Sequence, residues 1–219
     1  MPFTEETFAF LADLEANNSK DWFEANRERY ETHWKTPAFC FIDLVAEEMG
    51  RLQPPLKAEA RLNGSLRRIN RDVRFSKDKS PYAPRLHIVF WHGSHPNRSP
   101  GMHFVLTPGG VGYGAGQWAI EPARLKTLRD RIASDPSGLI SALDSAAEVG
   151  CRFGKPDLAR GPKGYEATGP AMDLLRYKGF VARTHDKSAP RSVVMGHEAK
   201  GWAMERTNAL LPLIRWLAA

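Results

Sequence analysis

The chain has 219 residues, 42% hydrophobic, 26% charged and 10% aromatic, a balance that excludes wholesale disorder, collagen-like repetition and a coiled coil. Its formal charge is +6, and its best apolar runs, Phe39–Ile42 and Ile88–Trp91, fall far short of the ~18 residues of a membrane span. The start lacks the basic and apolar stretches of a signal segment, and Cys40 and Cys151 are too few for a disulfide framework or a zinc centre, so a cytoplasmic location is expected.

The first sixty residues read as helices. Thr4 stands as an N-cap before Glu5 and Glu6, and Phe3 and Phe8 hold the two positions of a hydrophobic staple. Phe8, Leu11 and Leu14 set an apolar face. Asn17-Asn18-Ser19 breaks that helix and caps a second, with Trp22, Phe23, Asn26, Tyr30 and Trp34 along it. Pro37 restarts the chain, and Ala38, Ile42, Val45, Met49 and Leu52 recur at helical spacing until Gly50 and Pro54-Pro55 end the run. Cys40 lies between two phenylalanines on this helix and reads as a packed thiol.

The middle changes character. Arg85 to His92 reads as a strand, a polar loop follows, and Met102–Thr107 reads as a second strand. Pro108-Gly109-Gly110 turns the chain into a third, glycine-interrupted strand reaching Ile120, which makes an antiparallel meander. Helical spacing returns after Pro122 (Leu125, Leu128, Ile132) and after Pro136 (Leu139, Ile140, Leu143). Residues 150–170 are irregular; a short helix at Met172–Leu175, a strand at Phe180–Thr184 and a mobile stretch at Asp186–Arg191 follow. The tail, Glu198–Leu217, is helical and is expected to kink at Pro212. The sum is an α+β fold, a single domain over residues 1–219 with helices at 1–56, a basic stretch at 61–85, the meander at 86–120 and helical or irregular chain at 121–219.

Several motifs fail on context. Gly110-Val-Gly112-Tyr-Gly114-Ala115 matches a loose dinucleotide fingerprint but continues as a strand, so its glycines read as sites of close backbone approach. Gly150 to Lys155 is one residue short of a P-loop and is followed by Pro156. Ser76-Lys77-Asp78-Lys79 lacks the companion motifs of penicillin-recognising enzymes. His87, His92, His95 and His103 lie in a region without a carboxylate between Lys79 and Glu121, which argues against a metal site. No cofactor is implied.

Charge is the surviving signal. Residues 1–60 hold six basic and twelve acidic groups, whereas residues 61–85 hold eight basic groups and only Asp72 and Asp78. Like charges at that density repel unless an anion sits among them. The spacing of 66–74 fits either a strand or a helix, and Arg67 and Arg71 share a face in both. Guanidiniums and an ammonium near a hydroxyl suit phosphate or carboxylate. The candidate ligand-binding residues are therefore Arg67, Arg68, Arg71 and Arg74 with Ser76, Lys79 and Tyr82, Asp72 orienting an arginine or acting as a general base, and Lys178 as an addition. No catalytic residue is assigned.

Four pieces carry a family resemblance: Asn17-Asn18-Ser19-Lys20-Asp21-Trp22-Phe23, Arg68 to Tyr82 (RINRDVRFSKDKSPY), Gly112-Tyr-Gly-Ala-Gly116 and Leu174-Leu-Arg-Tyr-Lys-Gly-Phe180. Together they resemble the bacterial DUF2461 family. The resemblance implies one full-length domain and brings no activity or catalytic residue. The leading expectation is a protein that binds a small anion, phosphorylated ones included, with its status as an enzyme left open. The alternatives are nucleic-acid binding through the basic face and an adaptor surface made from the aromatic N-terminal helices. No membrane partner is expected, and the oligomeric state is left open.

Overall fold

Alternation along three consecutive strands decides the architecture. The computed structural model describes residues 2–185 and 188–219; Asp186 and Lys187, which open the stretch read as mobile, lie outside the described residues. The N-terminal helices are α1 (Glu5–Ala16), α2 (Lys20–Ala25), α3 (Arg27–Arg29) and, after a π-helical turn at Tyr30–Lys35, α4 (Thr36–Arg51). The strands β1 (Leu86–Trp91), β2 (Gly101–Thr107) and β3 (Gly110–Gln117) form the meander. Next come α5 (Pro122–Ser134), α6 (Ser137–Glu148), β4 (Arg152–Phe153), α7 (Gly169–Leu175), β5 (Phe180–Arg183), α8 (Ser192–Met195) and α9 (Ala199–Ala218). The fold is α+β, with helices, a central five-stranded antiparallel sheet of order β1-β2-β3-β5-β4, and helices again.

One sheet face is greasy. Leu86, Ile88 and Phe90, then Met102, Phe104 and Leu106, then Val111 and Ala115 are buried against the helices. Phe104 packs on Phe41 of α4 and Trp202 of α9, each with ring centroids 5.9 Å apart. Phe3 and Phe8, the staple pair, are both fully buried, and the Ser19 hydroxyl caps α2 by accepting the Trp22 N–H at 3.2 Å.

Three local readings need correction. The stretch from Ser19 to Trp34 is not one helix that Pro37 then restarts. It bends at Asn26, widens into the π turn, and passes directly into α4, with Pro37 in the first turn. Proline has no N–H and its ring crowds the carbonyl four residues back; the wider turn, in which the Thr36 N–H donates to Glu31 O, leaves room for it. Cys40 is exposed: the buried stripe of α4 is Ala38, Phe41, Ile42, Val45 and Met49, and 100° per residue carries position 40 off it. Residues 66–74 are neither strand nor helix. They belong to an irregular extended segment with isolated bridges to Ile88 and Tyr82.

That segment covers the outer edge of β1. The N–H groups of Lys57 and Arg67 donate to Trp91 O and His87 O at 2.8 and 2.9 Å, and the Val89 N–H donates to Ser65 O at 2.9 Å. Asn18 clamps the far end. Its amide nitrogen donates to Tyr82 O at 2.9 Å and its amide oxygen accepts the Tyr82 N–H at 3.1 Å. Among the described residues, no helix is long and apolar enough to cross a membrane.

Candidate functional site

Among the described residues, none of those lining a cavity on the second face of the sheet belongs to a helix, and the side chains there follow from the register. His87 pairs with Val105 and Val105 with Gly112; His103 pairs with Gly114 and Gly114 with Arg183; Gly116 pairs with Val181. All these positions point the same way, because successive residues of a strand alternate faces. On this side β3 presents only Gly110, Gly112, Gly114 and Gly116, so a side-chain-free trough runs down the sheet between β2 and β5.

A cavity of about 620 Å³ stands over this trough. Arg67, Arg85 and Arg183 line it with His87, His103 and His185, and its described lining includes no carboxylate. Arg67 reaches it because its backbone bonds to His87 of β1; the side chain is half-buried, and its Nη2 donates to Pro96 O at 2.9 Å. Burial holds this guanidinium below its ordinary pKa. Neither Arg67 nor Arg85 has an ion-pair partner among the described residues.

His87 and His103 are diagonal neighbours on this face, and His87 Nε2 lies 2.9 Å from His103 Nδ1. Such a contact requires one ring to donate to the lone pair of the other, so at most one can carry a charge. Burial pushes both pKa values down, His103 to about 4, with the charge of Arg67 adding to the effect; His87 lies well below its usual value, with His103, Arg85 and Arg67 as further causes. Near neutral pH the pair is uncharged, and it offers the cavity one ring N–H and one lone pair.

The residues singled out from sequence divide into groups. Arg67, Arg68, Arg71 and Asp72 line a smaller cleft of about 310 Å³ that adjoins the cavity through Arg67, Arg85 and His87. Arg71 is already engaged by Asp78 and by the Ser76 hydroxyl at 3.4 Å. Asp72 is held by Arg74 in a two-bond fork of 2.9 and 2.7 Å, which takes its carboxyl down to about 2 and leaves it a poor base. Asp78 is held low by the Ser80 hydroxyl and N–H, then by Arg71. Lys79 donates to Val73 O at 3.0 Å. Tyr82 is buried and stacks on Phe23 at 4.1 Å, so it anchors the loop to the helices. Lys178 is exposed in the turn before β5 and lines neither cavity; its backbone N–H donates to Asp157 at 2.7 Å.

Sequence reasoning did not place Arg85, His87, His103, Arg183 or Trp118 at a site. The available signal was alternation. His103, Val105 and Thr107 share one parity of β2, and four glycines share one parity of β3. Close approach explains most of those glycines, as their strand context implies. A Cβ at Gly110, Gly114 or Gly116 would lie 2.5, 2.4 or 2.0 Å from the backbone oxygen of Ala189, Ala182 or Phe180 in the adjacent segment. Cys151 is buried and its thiol is pushed up to about 12 by desolvation, which removes it as a nucleophile.

Residues 6–216 match a family model described as "Conserved hypothetical protein (DUF2461)". No curated protein and no solved structure matches the chain.

Proposed function

We propose, starting from the fact that the chain belongs to the DUF2461 family, that it binds a small anion in the cavity on the second face of the sheet. The observation that carries this reading is a lining with three guanidiniums and no described carboxylate. Arg27, Arg51 and Arg74 each have an acidic neighbour. Arg67, Arg85 and Arg183 have no ion pair among the described residues and, unlike Arg152 and Arg160, which also have none, they converge on one cavity. Arg67 and Arg85 supply forked donors suited to phosphate or carboxylate oxygens, and the histidine pair adds one neutral donor beside them. The anion sits over the sheet, on the other side of Arg67 from the salt-bridged loop at 71–80. That loop supports the site by holding the polypeptide around Arg67 and Arg85.

The test is a thermal-shift screen with phosphate, sugar phosphates and dicarboxylates. At a hundred times its dissociation constant, a ligand adds about 2.7 kcal/mol, roughly 5–10 °C in Tm for a domain of this size. Arg67→Met keeps the apolar stem, removes the charge, and is expected to abolish the shift. If none of these anions protects the wild-type chain, the reading fails.

Nucleic-acid binding is the second reading, and one observation favours it: Phe75 is 95% exposed between Arg74 and Ser76, with Lys77 and Lys79 beside it. An exposed ring among cations suits a single strand's bases. The adaptor reading has less support, because Phe23, Tyr30 and Trp34 are buried in the core.

A further inference from the structure

Gly112 is the glycine that packing does not demand. Gly114 and Gly116 are forced by β5, and Gly110 by the backbone at Ala189. At Gly112 the nearest atoms to an added Cβ are Thr184 Oγ1 at 3.5 Å and Val105 O at 3.8 Å, an ordinary contact, and its backbone is not in the left-handed region. A side chain there would fit the fold and would fill the trough. Its absence leaves a flat floor from Gly112 to Gly116, about 13 Å long at strand rise, and the walls on β2 and β5 stand two strand spacings apart, about 9.6 Å.

Trp118 is the second observation. It follows the same parity beyond Gly116, lines the cavity, and is 75% exposed. Beside it Val181 flanks Gly116 across the register. Arg183 stands beside Gly114 and Arg85 beyond the Gly112 level with His87, while Arg67 is held at Pro96 O in the loop between β1 and β2. The cavity thus joins an indole, a valine and bare backbone at one end with guanidiniums along its length.

We infer that the ligand is a nucleoside phosphate: a flat heteroaromatic ring lies on the glycine floor against Trp118, and the phosphate reaches the arginines near Gly112. This inference rests on the anion-site reading and specifies the class of anion.

Titration calorimetry on the full chain with adenosine 5′-monophosphate and ribose 5-phosphate separates the possibilities. The nucleotide is expected to bind about ten-fold tighter, in line with stacking of one base on an aromatic side chain. Trp118→Ala, at an exposed position that the fold does not need, is expected to erase that advantage and leave ribose 5-phosphate within two-fold of wild type. Gly112→Val is expected to abolish binding of both. Equal affinity of the two ligands in the wild type, or a nucleotide advantage that survives Trp118→Ala, overturns the inference while the anion site stands. Tighter binding of a twelve-nucleotide single strand than of the mononucleotide also overturns it. If neither small phosphate binds, the anion-site reading falls with it.

Discussion

An imidazole next to guanidiniums, with no described carboxylate facing it, keeps its proton off until the solution is acidic. His103 is in that position: burial and Arg67 bring its pKa to about 4, and His87 beside it is lowered as well. In the unfolded chain both titrate near 6.5. The sign follows directly. The pair contributes stability that is complete above about pH 6.5 and is lost as pH falls toward 4, because the unfolded chain takes up protons that the folded one refuses. Urea midpoints between pH 7 and 4 are expected to fall more steeply for wild type than for His103→Gln, which keeps a polar side chain and cannot charge. A saturating anion in the cavity is expected to flatten the wild-type slope, since its negative charge lets the pair accept a proton. Identical slopes in the two proteins would place the histidines outside this account.

Strand β3 shows how much one element owes to its neighbours. Gly116 combines a φ of +143° with a Cβ position 2.0 Å from Phe180 O, so Gly116→Ala must push β5 away and is expected to cost about 3 kcal/mol or more. Gly112→Ala faces neither constraint and is expected to stay within about 1 kcal/mol of wild type; thermal melts of the two variants make the comparison. The same elements mark the boundary of what sequence can disclose. Ala38, Ile42, Val45 and Met49 repeat at helical spacing, and Pro122 and Pro136 open α5 and α6, so those helices are legible from local chemistry alone. The π turn is not, because it answers to Pro37 and to the packing of Tyr30 and Trp34 together. Arg67 and its neighbours are visible as a dense run of cations. Their division into paired and unpaired groups is not, since Arg71 meets Asp78 only after the loop doubles back. The histidine pair is harder still. Positions 87 and 103 meet only once β1 and β2 adopt one register, and a slip of a single residue would send one ring into the core.

Across the whole molecule, the acidic N-terminal helices and the basic cavity lie on opposite faces of one sheet. Exposed charges are screened beyond about 10 Å at 0.1 M salt, while a half-buried guanidinium such as Arg67 is screened less. Phosphate affinity is therefore expected to fall only a few-fold between 50 and 200 mM salt. The nucleic-acid reading requires a loss of orders of magnitude over the same range, and fluorescence titration with a labelled oligonucleotide measures it. The segment at 57–70 has one more effect on the molecule. By spending its own amides on β1 it leaves that margin with few free donors or acceptors, and the opposite margin, Arg152–Phe153, is only two residues long. A passing chain finds little purchase at either border, so the molecule can hold a bare, cationic sheet face open to solutes without inviting lateral fusion with its own kind.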